Sequence, residues 1–292
     1  MSDLYDFMMI GHFAKDRNVV DGRGQIESGG GVYFGSAVLR RMGWRVAVVT
    51  RLHPDDFSRL DEMKQDGIDV FAQPASATSG IENSYQSSDM ERRVCKPMGF
   101  AGAIAVSDMP NITARLYAIV PILAGEVEMP VLKALAARGP VALDVQGFVR
   151  RVEGNDIHFR PWREMKEGLA HVTYLKVDRA EAEALTGEMD LAVAAKKLSE
   201  YGPREIVLTQ SSGITVFANG KIYTTPFTPR SLVGRTGRGD TCFSAYLGKR
   251  LTSSVEEACR FSSAVTTLKQ EKPGPWRGTM KEVEQVIAAR SK

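Results

Sequence analysis

The sequence contains few cysteines and histidines, and their positions exclude several classes of protein. The three cysteines, Cys95, Cys242 and Cys259, are odd in number and widely spaced, so they form neither a disulfide framework nor a zinc knuckle. The four histidines are scattered and show no metal-ligand spacing. We therefore predict reduced thiols and no zinc site.

Long apolar runs and a strong net charge are also missing. No stretch approaches the roughly 18 consecutive apolar residues of a membrane span, and the segment MSDLYDFMMIGH carries acids where a secretory signal carries positive charge. The formal net charge is only +3, and no run of Lys and Arg alternates with aromatic residues. The sequence thus predicts a cytoplasmic protein that binds neither membranes nor nucleic acid and takes a small-molecule ligand.

Several common catalytic motifs are absent as well. There is no GxxxxGK[ST] phosphate loop and no GxGxxG after a predicted strand, which argues against P-loop enzymes and dinucleotide-dependent oxidoreductases. No Ser or Cys lies in a nucleophile elbow, so a hydrolase of that type has no candidate nucleophile.

Short apolar segments alternate with segments of helical periodicity through most of the chain. The apolar segments are short and uniformly hydrophobic, which is typical of strands that are buried on both faces. The sequence therefore predicts a single α/β domain over residues 1–292, with a mostly parallel sheet between two layers of helices. The predicted strands lie at residues 7–10, 46–50, 116–123, 140–145, 172–177 and 205–210.

Two segments interrupt this alternation. Residues 16–28 and about 68–106 are rich in Gly, Ser, Asp and Gln, and they contain alternating fragments such as IDVFAQ and ERRVCK that favour exposed strands. We interpret the two segments as a small β lid inserted into the α/β body. A pair of irregular surface loops is the alternative.

The most informative segment is GRTGRGDT, from Gly234 to Thr241, which leads directly into the helical run CFSAYLGKRL. Gly237 and Gly239 let the backbone turn tightly, and the first N–H groups of the following helix lack partners within the helix and carry its positive dipole end. Such a turn favours anion binding. Asp240 is then either a base beside the bound anion or only a cap of the helix.

This segment resembles the second signature of the ribokinase (PfkB carbohydrate kinase) family, DTxGAGD, although Gly234 stands for the first Asp and Arg238 for the Ala. The resemblance implies an α/β ribokinase-like three-layer sandwich with a mostly parallel central sheet and a small β lid. It also implies that Asp240 removes the proton of an acceptor hydroxyl, while the N–H groups of Gly237, Arg238 and Gly239 form an anion hole.

The N-terminal part of the chain carries the acceptor side of the same resemblance. The segment SGGGVYFGSAVLRRMG resembles the first family signature, which places Gly29 and Gly30 beside the acceptor and Phe34 where relatives often carry Asn. Asp16 lies where many relatives bind acceptor hydroxyls, and a carboxylate can hold two vicinal hydroxyl groups. Glu126 and Arg150 each follow a predicted strand and are further candidate acceptor contacts.

The C-terminal half carries the donor side. The segment LKVDRAEAEALTG resembles the NxxE motif of the family, with Asp178 and Glu181 as the residues that organise water and Mg²⁺ near the phosphates. Glu181 is the candidate metal residue, acting through water. Thr209, Ser211 and Gly213 follow the strand at 205–210 and lie where relatives contact the nucleotide.

The resemblance extends from about residue 11 to residue 274 and includes the run FSSAVTTLKQEKPGP, which lies where relatives form the adenine pocket. It implies transfer of the γ-phosphoryl group of ATP to a sugar, cyclitol or nucleoside hydroxyl, with Mg²⁺ and, as a further candidate, a monovalent cation. The fragments GGGVYF and DVQGFVR resemble myo-inositol kinase-like members more than ribokinase itself. The alternatives are a nucleoside kinase, in which Phe34 stacks on a base, and a non-catalytic sensor. The resemblance also implies a homodimer formed through the lid.

Overall fold

The computed structural model describes residues 4–86 and 89–290, in which strands and helices alternate as the sequence predicts. In chain order the described strands are β1 (Leu4–Ile10), β2 (Ala14–Val20), β3 (Arg23–Gly29), β4 (Val46–Leu52), β5 (Asp69–Pro74), β6 (Gly80–Gln86), β7 (Asp89–Gly99), β8 (Thr113–Ile119), β9 (Val141–Asp144), β10 (Arg150–Glu153), β11 (Asp156–Phe159), β12 (Tyr174–Asp178), β13 (Glu205–Thr209), β14 (Gly213–Ala218) and β15 (Lys221–Pro226).

The helices connect these strands. They are α1 (Gly31–Arg41), α2 (Asp61–Gln65), α3 (Met129–Ala136), α4 (Gln146–Val149), α5 (Met165–Leu169), α6 (Arg179–Thr186), α7 (Leu191–Ser199), α8 (Arg238–Arg250), α9 (Val255–Gln270) and α10 (Met280–Arg290). Two short 3-10 helices, Pro54–Leu60 and Val106–Asp108, complete the regular structure of the described chain.

The central sheet has nine strands in the order β15-β14-β13-β12-β9-β8-β1-β4-β5. The pairs from β13 through β5 are all parallel, and only β14 runs against its neighbours. Apolar side chains from both faces of this sheet are buried in two separate clusters, one centred on Met8, Tyr117 and Leu143 and the other on Phe7, Met9 and Phe243. The three-layer sandwich predicted from the alternation of short apolar strands and helices is confirmed.

Polar residues at helix starts fix where several helices begin. Asp178 accepts a hydrogen bond from the N–H of Glu181 at 2.9 Å, and the Glu181 carboxylate accepts one from the N–H of Asp178 at 2.7 Å, which forms a capping box at the start of α6. The same arrangement of Ser254 and Glu257 begins α9. The capping box holds Asp178 and Glu181 at the carboxyl end of β12.

A separate four-stranded sheet, in the order β3-β2-β6-β7, forms the lid. The predicted lid boundaries of 16–28 and 68–106 are partly wrong. β5 pairs in parallel with β4 and is the edge strand of the central sheet, because Val70 and Phe71 within it pack on the two core clusters. Residues 87 and 88 of the second predicted lid segment lie outside the described residues.

All six strands that the sequence predicts are present in the central sheet, with boundaries shifted by a few residues. The antiparallel hairpin of β10 and β11 was not predicted, because its residues are mostly polar and exposed. Among the described residues, none of the helices combines the length and the apolar character needed to cross a bilayer.

Candidate active site

A cavity of about 150 Å³ lies between the lid and the carboxyl ends of the parallel strands. This edge of an open α/β sheet is where ligands bind. The cavity is bordered by the lid strands β2 and β6, by the end of β12 and β13, and by the first turn of α8. Its lining residues are Asp16, Gly30, Gly31, Phe34, Ile81, Asn83, Ile122, Gln146, Arg150, Lys176, Asp178, Thr209, Arg235, Thr236, Gly237, Arg238, Gly239 and Asp240.

The loop before α8 contributes the largest continuous part of this lining. Gly237 is the N-cap of α8 and has a left-handed backbone with φ of 79°, which favours glycine. The N–H of Arg238 donates to the carbonyl of Arg235 at 3.1 Å, so the predicted anion hole has to be corrected at this position. Within the described chain, the N–H groups of Gly237 and Gly239 remain without a backbone partner, and both residues line the cavity.

Asp240 lies in the first turn of α8 and faces the cavity. Burial raises the pKa of its carboxyl group above the ordinary value, and the nearby Asp144 carboxylate raises it further, while Lys176 and Arg150 oppose this effect. A carboxylate whose pKa is shifted toward neutrality is suited to accept a proton from an acceptor hydroxyl group.

A buried lysine, which local sequence patterns did not indicate, lies beside the glycine-rich loop of residues 234–237. This loop precedes α8 and is called the phosphate loop below, because it is the predicted phosphate-binding segment. Lys176 in β12 is 4% exposed, and its Nζ lies 3.1 Å from the carboxylate oxygens of Asp144 and 3.5 Å from Glu181. Burial would lower the pKa of Lys176, but Asp144 and Glu181 raise it above its ordinary value, so the side chain stays cationic. A Cβ built on Gly239 would lie 3.8 Å from Lys176 Nζ, which places this charge next to the loop.

Arg150 and two carboxylates form a second charged group at the same sheet edge. A guanidinium nitrogen of Arg150 lies 3.5 Å from Glu181 and 3.8 Å from Asp178, and Arg150 is 7% exposed. Burial raises the pKa of Glu181 to about 7, with a further contribution from Asp178 and an opposing one from Lys176. The Arg150 guanidinium therefore offsets part of the negative charge of Asp178 and Glu181 before any ligand binds.

The carboxylates of this group fit a hydrated magnesium ion. Glu181 is fully buried behind the cavity lining, where its Oε1 has no hydrogen-bond partner in the described chain but lies 3.5 Å from a guanidinium nitrogen of Arg150. Asp178 beside it lines the cavity. Oxygen donors of this kind, few in number, suit Mg²⁺, which keeps most of its water ligands. The described residues contain no cluster of three or more acidic, His or Cys side chains that could form a closed metal cage.

The lid carries Asp16, the residue predicted to bind the acceptor. Asp16 in β2 is 9% exposed, and its Oδ1 accepts a hydrogen bond from the N–H of Ile81 at 2.8 Å. Gly29 does not line the cavity, but a Cβ at this position would overlap the Asp16 carboxylate, so Gly29 makes room for that group. Gly30, with φ of 91°, does line the cavity and is the N-cap of α1.

Besides Gly29 and Glu181, three further predicted site residues lie outside the cavity lining. Glu126 is fully buried, and its carboxylate accepts hydrogen bonds from the N–H groups of His12 and Ile122, so its contacts are those of a structural residue. Ser211 is exposed in the turn between β13 and β14. Gly213 is buried at the start of β14, where a Cβ would collide with the carbonyl of Thr225.

Phe34 lines the cavity, but its ring faces the protein. The ring is 3% exposed and lies against Gly237, where any Cβ would overlap it, and its centroid is 5.3 Å from that of Tyr33. Phe34 therefore supports the phosphate loop and leaves no open face on which a nucleobase could stack.

Part of the region that the resemblance assigns to adenine is closed by hydrogen bonds between protein groups, and cavities border the rest of it at Lys269 and Pro273. Ser263 in α9 donates to the carbonyl of Pro226 at 2.5 Å, and the N–H of Thr228 donates to Thr267 of α9 at 3.1 Å. Arg290 of α10 donates to the hydroxyl groups of Ser263, Thr228 and Thr267 at 2.8–2.9 Å. None of these residues lines the cavity that contains Asp240.

With this geometry in place, comparison with known proteins assigns the family. Residues 22–279 match the pfkB family of carbohydrate kinases. This chain belongs to that family. No curated protein matches the chain. The family is one of kinases, and the chain is accordingly a carbohydrate kinase of the ribokinase-like fold.

Solved structures give more detail on the relatives of this kinase. One is a pyrophosphate-dependent kinase in the ribokinase family, complexed with a pyrophosphate analog and myo-inositol; it is 34% identical, with a TM-score of 0.89 over 96% of this chain and 99% of the other. A second is a pyrophosphate-dependent myo-inositol-1 kinase that two substitutions convert into a myo-inositol-3 kinase, 33% identical with a TM-score of 0.87 over 97% and 99%.

A third structure is more distant. Arabidopsis thaliana ribokinase, complexed with ribose and ATP, is 19% identical, with a TM-score of 0.75 over 98% of this chain and 99% of the other. At this identity the similarity establishes the fold alone. It agrees with the ribokinase-like fold of the described chain.

Several residues of the cavity were missed or undervalued by sequence reasoning. Lys176 lies within the segment LKVDRAEAEALTG, two residues before Asp178, and a lysine inside an otherwise apolar strand was the available signal. Arg235 was noted only as a departure from the family signature, and Asn83 lies in a lid strand whose side-chain directions depend on the fold. The sequence offered no signal for Asn83.

Proposed function

We propose that this kinase transfers a phosphoryl group from inorganic pyrophosphate to a hydroxyl group of a cyclitol such as myo-inositol. The sequence resemblance alone favours ATP as the donor. Two relatives that are 33–34% identical and that align with nearly the whole chain are, however, pyrophosphate-dependent kinases, and both are connected with myo-inositol. This degree of similarity motivates the proposal, and the geometry of the donor side supports it.

The observation that carries the choice of donor is the identity of 33–34%, over nearly the whole chain, with two pyrophosphate-dependent kinases. Hydrogen bonds that link Ser263, Thr267 and Arg290 to Pro226 and Thr228 close the first part of the segment assigned to adenine, so an adenine ring bound there would have to break them. Cavities border the rest of that segment at Lys269 and Pro273. Pyrophosphate carries no base and needs neither space.

The cations around the cavity are consistent with a compact polyanion as ligand. Arg150, Lys176, Arg235 and Arg238 line the cavity together with the carboxylates Asp16, Asp178 and Asp240, and the helix dipole of α8 points at it. Pyrophosphate concentrates its negative charge on two adjacent phosphates, whereas a nucleotide spreads the binding interactions over a base and a ribose. Four cationic side chains at a helix start therefore suit pyrophosphate.

In the proposed reaction, Asp240 accepts the proton of the attacking hydroxyl group. The acceptor oxygen forms a bond to one phosphorus atom of pyrophosphate, the bond from that phosphorus to the bridging oxygen breaks, and inorganic phosphate leaves. Lys176 and the N–H groups of Gly237 and Gly239 stabilise the negative charge on the phosphates. Mg²⁺, when bound through Asp178 and Glu181, would neutralise donor charge.

The acceptor is held from the lid side. Asp16 and Asn83 present a carboxylate and an amide to the same cavity, and both side chains are nearly buried. These groups bind hydroxyls and offer no aromatic face for a base, which favours a polyol over a nucleoside. The buried ring of Phe34 weakens the nucleoside kinase alternative for the same reason.

The test compares donors and acceptors in one assay. Purified protein with Mg²⁺ and either pyrophosphate or ATP is incubated with cyclitols, pentoses, hexoses and nucleosides, and phosphorylated products are followed by phosphorus NMR. We expect a cyclitol phosphate with pyrophosphate, at a kcat/KM at least ~10-fold above that with ATP. Asp240→Asn serves as the inactive control.

Two outcomes would contradict this proposal. A preference for ATP would make the protein an ATP-dependent sugar or cyclitol kinase, which the phosphate loop alone also supports. Binding without transfer from either donor would favour the non-catalytic sensor. Cytoplasmic location and the absence of membrane and nucleic-acid partners remain predictions from the sequence.

A further inference from the structure

A second buried lysine lies on the far side of the phosphate loop from the cavity centre. Lys269 belongs to the last turn of α9 and is only 1% exposed. Lysine is almost never buried to this degree unless its ammonium group has a specific partner. Neither the family signatures nor the mechanism described above uses this residue.

The partner of Lys269 is the first residue of the phosphate loop. Its Nζ donates to the carbonyl of Gly234, and the N–H of Gly234 donates to the carbonyl of Gln270 at 2.8 Å. The loop thus contacts the end of α9 through both backbone groups of Gly234. A Cβ on Gly234 would collide with the carbonyl of Lys272, so the aspartate found here in relatives cannot fit in this arrangement.

Lys269 also contacts the ring that supports the other end of the loop. Its Nζ lies 5.2 Å from the centroid of Phe34, within cation–π distance. Phe34 in turn lies directly against Gly237, the N-cap of α8. One ammonium group is therefore in contact with both ends of the loop, through Gly234 directly and Gly237 by way of the Phe34 ring.

The surroundings of Lys269 are charged, but among the described residues no carboxylate lies close enough to pair with its ammonium group. Lys269 lines a second cavity, called the side cavity below, together with Arg235 and Arg59. Asp240 from α8 and Glu27 from β3 attract the ammonium group. Burial nevertheless lowers the pKa of Lys269 to about 8, because its main hydrogen-bond partner is a neutral carbonyl group.

We propose that Lys269 is a positioning residue, whose buried ammonium group holds residues 234–237 in the conformation that presents the N–H groups of Gly237 and Gly239 to the donor phosphates. The proposal rests on the proposed kinase function, and it names the residue that holds the backbone of the donor site in place.

The test uses the full-length protein and three substitutions. Lys269→Met keeps the length of the side chain and removes its charge, Lys269→Arg keeps the charge, and Lys272→Met is the matched control on an exposed lysine three residues further on. We expect Lys269→Met to raise KM for the donor roughly 10-fold or more while KM for the acceptor stays nearly constant. Lys272→Met should resemble the wild type.

Two further readouts separate positioning from a merely structural role. In Lys269→Ala, NH₄⁺ or methylammonium should restore activity, whereas choline at equal ionic strength should not, because the side cavity opens to solvent. The wild-type kcat/KM for the donor should fall above pH about 8, where Lys269 loses its proton, and this decline should be absent in Lys269→Arg.

The proposal would be overturned by equal losses in both KM values or by no rescue with ammonium ions. Each variant is compared with the wild type on the donor that the wild type uses. Failure of pyrophosphate as donor would therefore overturn the proposed function alone, and the comparison of Lys269 variants with ATP would still decide this proposal. Thermal unfolding of every variant distinguishes loss of folding from loss of positioning.

Discussion

Asp240 illustrates how much the environment of a single residue decides. Its carboxyl group is pushed toward the protonated form by burial and by Asp144, and toward the ionised form by Lys176 and Arg150. The pKa stays raised, which predicts that activity declines on acidification at a higher pH than an ordinary carboxylate would give. The same balance makes the residue sensitive to changes in any of the three neighbours.

We predict that Asp240→Asn lowers kcat by at least ~100-fold while the affinity for the donor changes little. The amide has the size of the carboxylate but cannot accept the acceptor proton. Steady-state kinetics and donor titration by calorimetry check this. A kcat within about threefold of the wild type would remove Asp240 from the role of base.

Asp16 is the residue through which acceptor recognition is best tested. Asp16→Asn keeps an oxygen that can accept from the N–H of Ile81, yet it removes the charge that would hold two hydroxyl groups. We expect kcat/KM for the acceptor to fall by roughly 10- to 100-fold and KM for the donor to stay nearly constant, because charge-assisted hydrogen bonds contribute about 1.5–3 kcal/mol each. Equal effects on both substrates would instead indicate a disturbed lid.

The lowered pKa of Lys269 also predicts how stability depends on pH. Between about pH 8 and the ordinary value of 10.5, the unfolded chain keeps a proton that the folded protein has released. The contribution of this residue to the free energy of unfolding should therefore rise with pH in that window. Urea unfolding of the wild type and Lys269→Met should show the wild type gaining stability relative to the variant from pH 8 to 10.5. No relative gain would contradict the lowered pKa.

At the scale of elements, the junction between the phosphate loop and α8 depends on the left-handed backbone conformation of Gly237. Gly237 has φ of 79° and lies against Phe34, while Tyr246 further along α8 donates its hydroxyl to Glu205 at the start of β13. The helix is thus fixed to the central sheet at one end and to the loop at the other. Its N-terminal N–H groups consequently have a defined direction in the cavity.

We predict that Gly237→Ala impairs both folding stability and donor binding. A left-handed backbone costs a non-glycine residue about 1–2 kcal/mol, and the added methyl group would displace the Phe34 ring. Gly220→Ala is a matched control, because Gly220 has φ of 73° in the turn between β14 and β15 and has open space around it. The melting temperature should drop in both variants, but KM for the donor should rise, by roughly 10-fold, only in Gly237→Ala. A similar KM for the donor in both variants would contradict this prediction and would mean that the Phe34 ring moves aside without disturbing the loop.

At the scale of the whole molecule, the lid leaves two edges unpaired in the described chain. β3 and β7 are the outer strands of the lid sheet, and both carry exposed apolar side chains, namely Ile26 on β3 and Val94 and Met98 on β7. Long exposed edges of this kind pair readily with another strand. The homodimer implied by the family resemblance would cover them.

We predict that sedimentation velocity shows a dimer and that Ile26→Lys shifts it toward the monomer, because a charge on an edge strand opposes pairing. Leu4→Lys, at an exposed apolar position on β1 away from the lid, is the control. A strictly monomeric wild type at the concentrations used for kinetics would contradict lid-mediated dimerisation.

The sequence by itself determined the architecture and the position of the phosphate loop. Alternating short apolar strands and amphipathic helices are local patterns, and a glycine-rich turn before a helix is local as well, so both could be predicted from neighbouring residues. The capping residues Asp178 and Glu181 were found for the same reason. The predicted lid boundary was wrong at β5, because the residues of an edge strand do not specify which strand it pairs with.

Only the tertiary structure decided which distant residues share the site and what they do there. Lys176 in β12 and Lys269 in α9 both lie beside the phosphate loop. Glu126 accepts hydrogen bonds from backbone N–H groups and does not line the cavity. The Phe34 ring packs against Gly237. Contacts between α9, α10 and the chain after β15 likewise close part of the region assigned to adenine. Burial and hydrogen bonding between segments far apart in the chain set these outcomes, and no local pattern of residues encodes them.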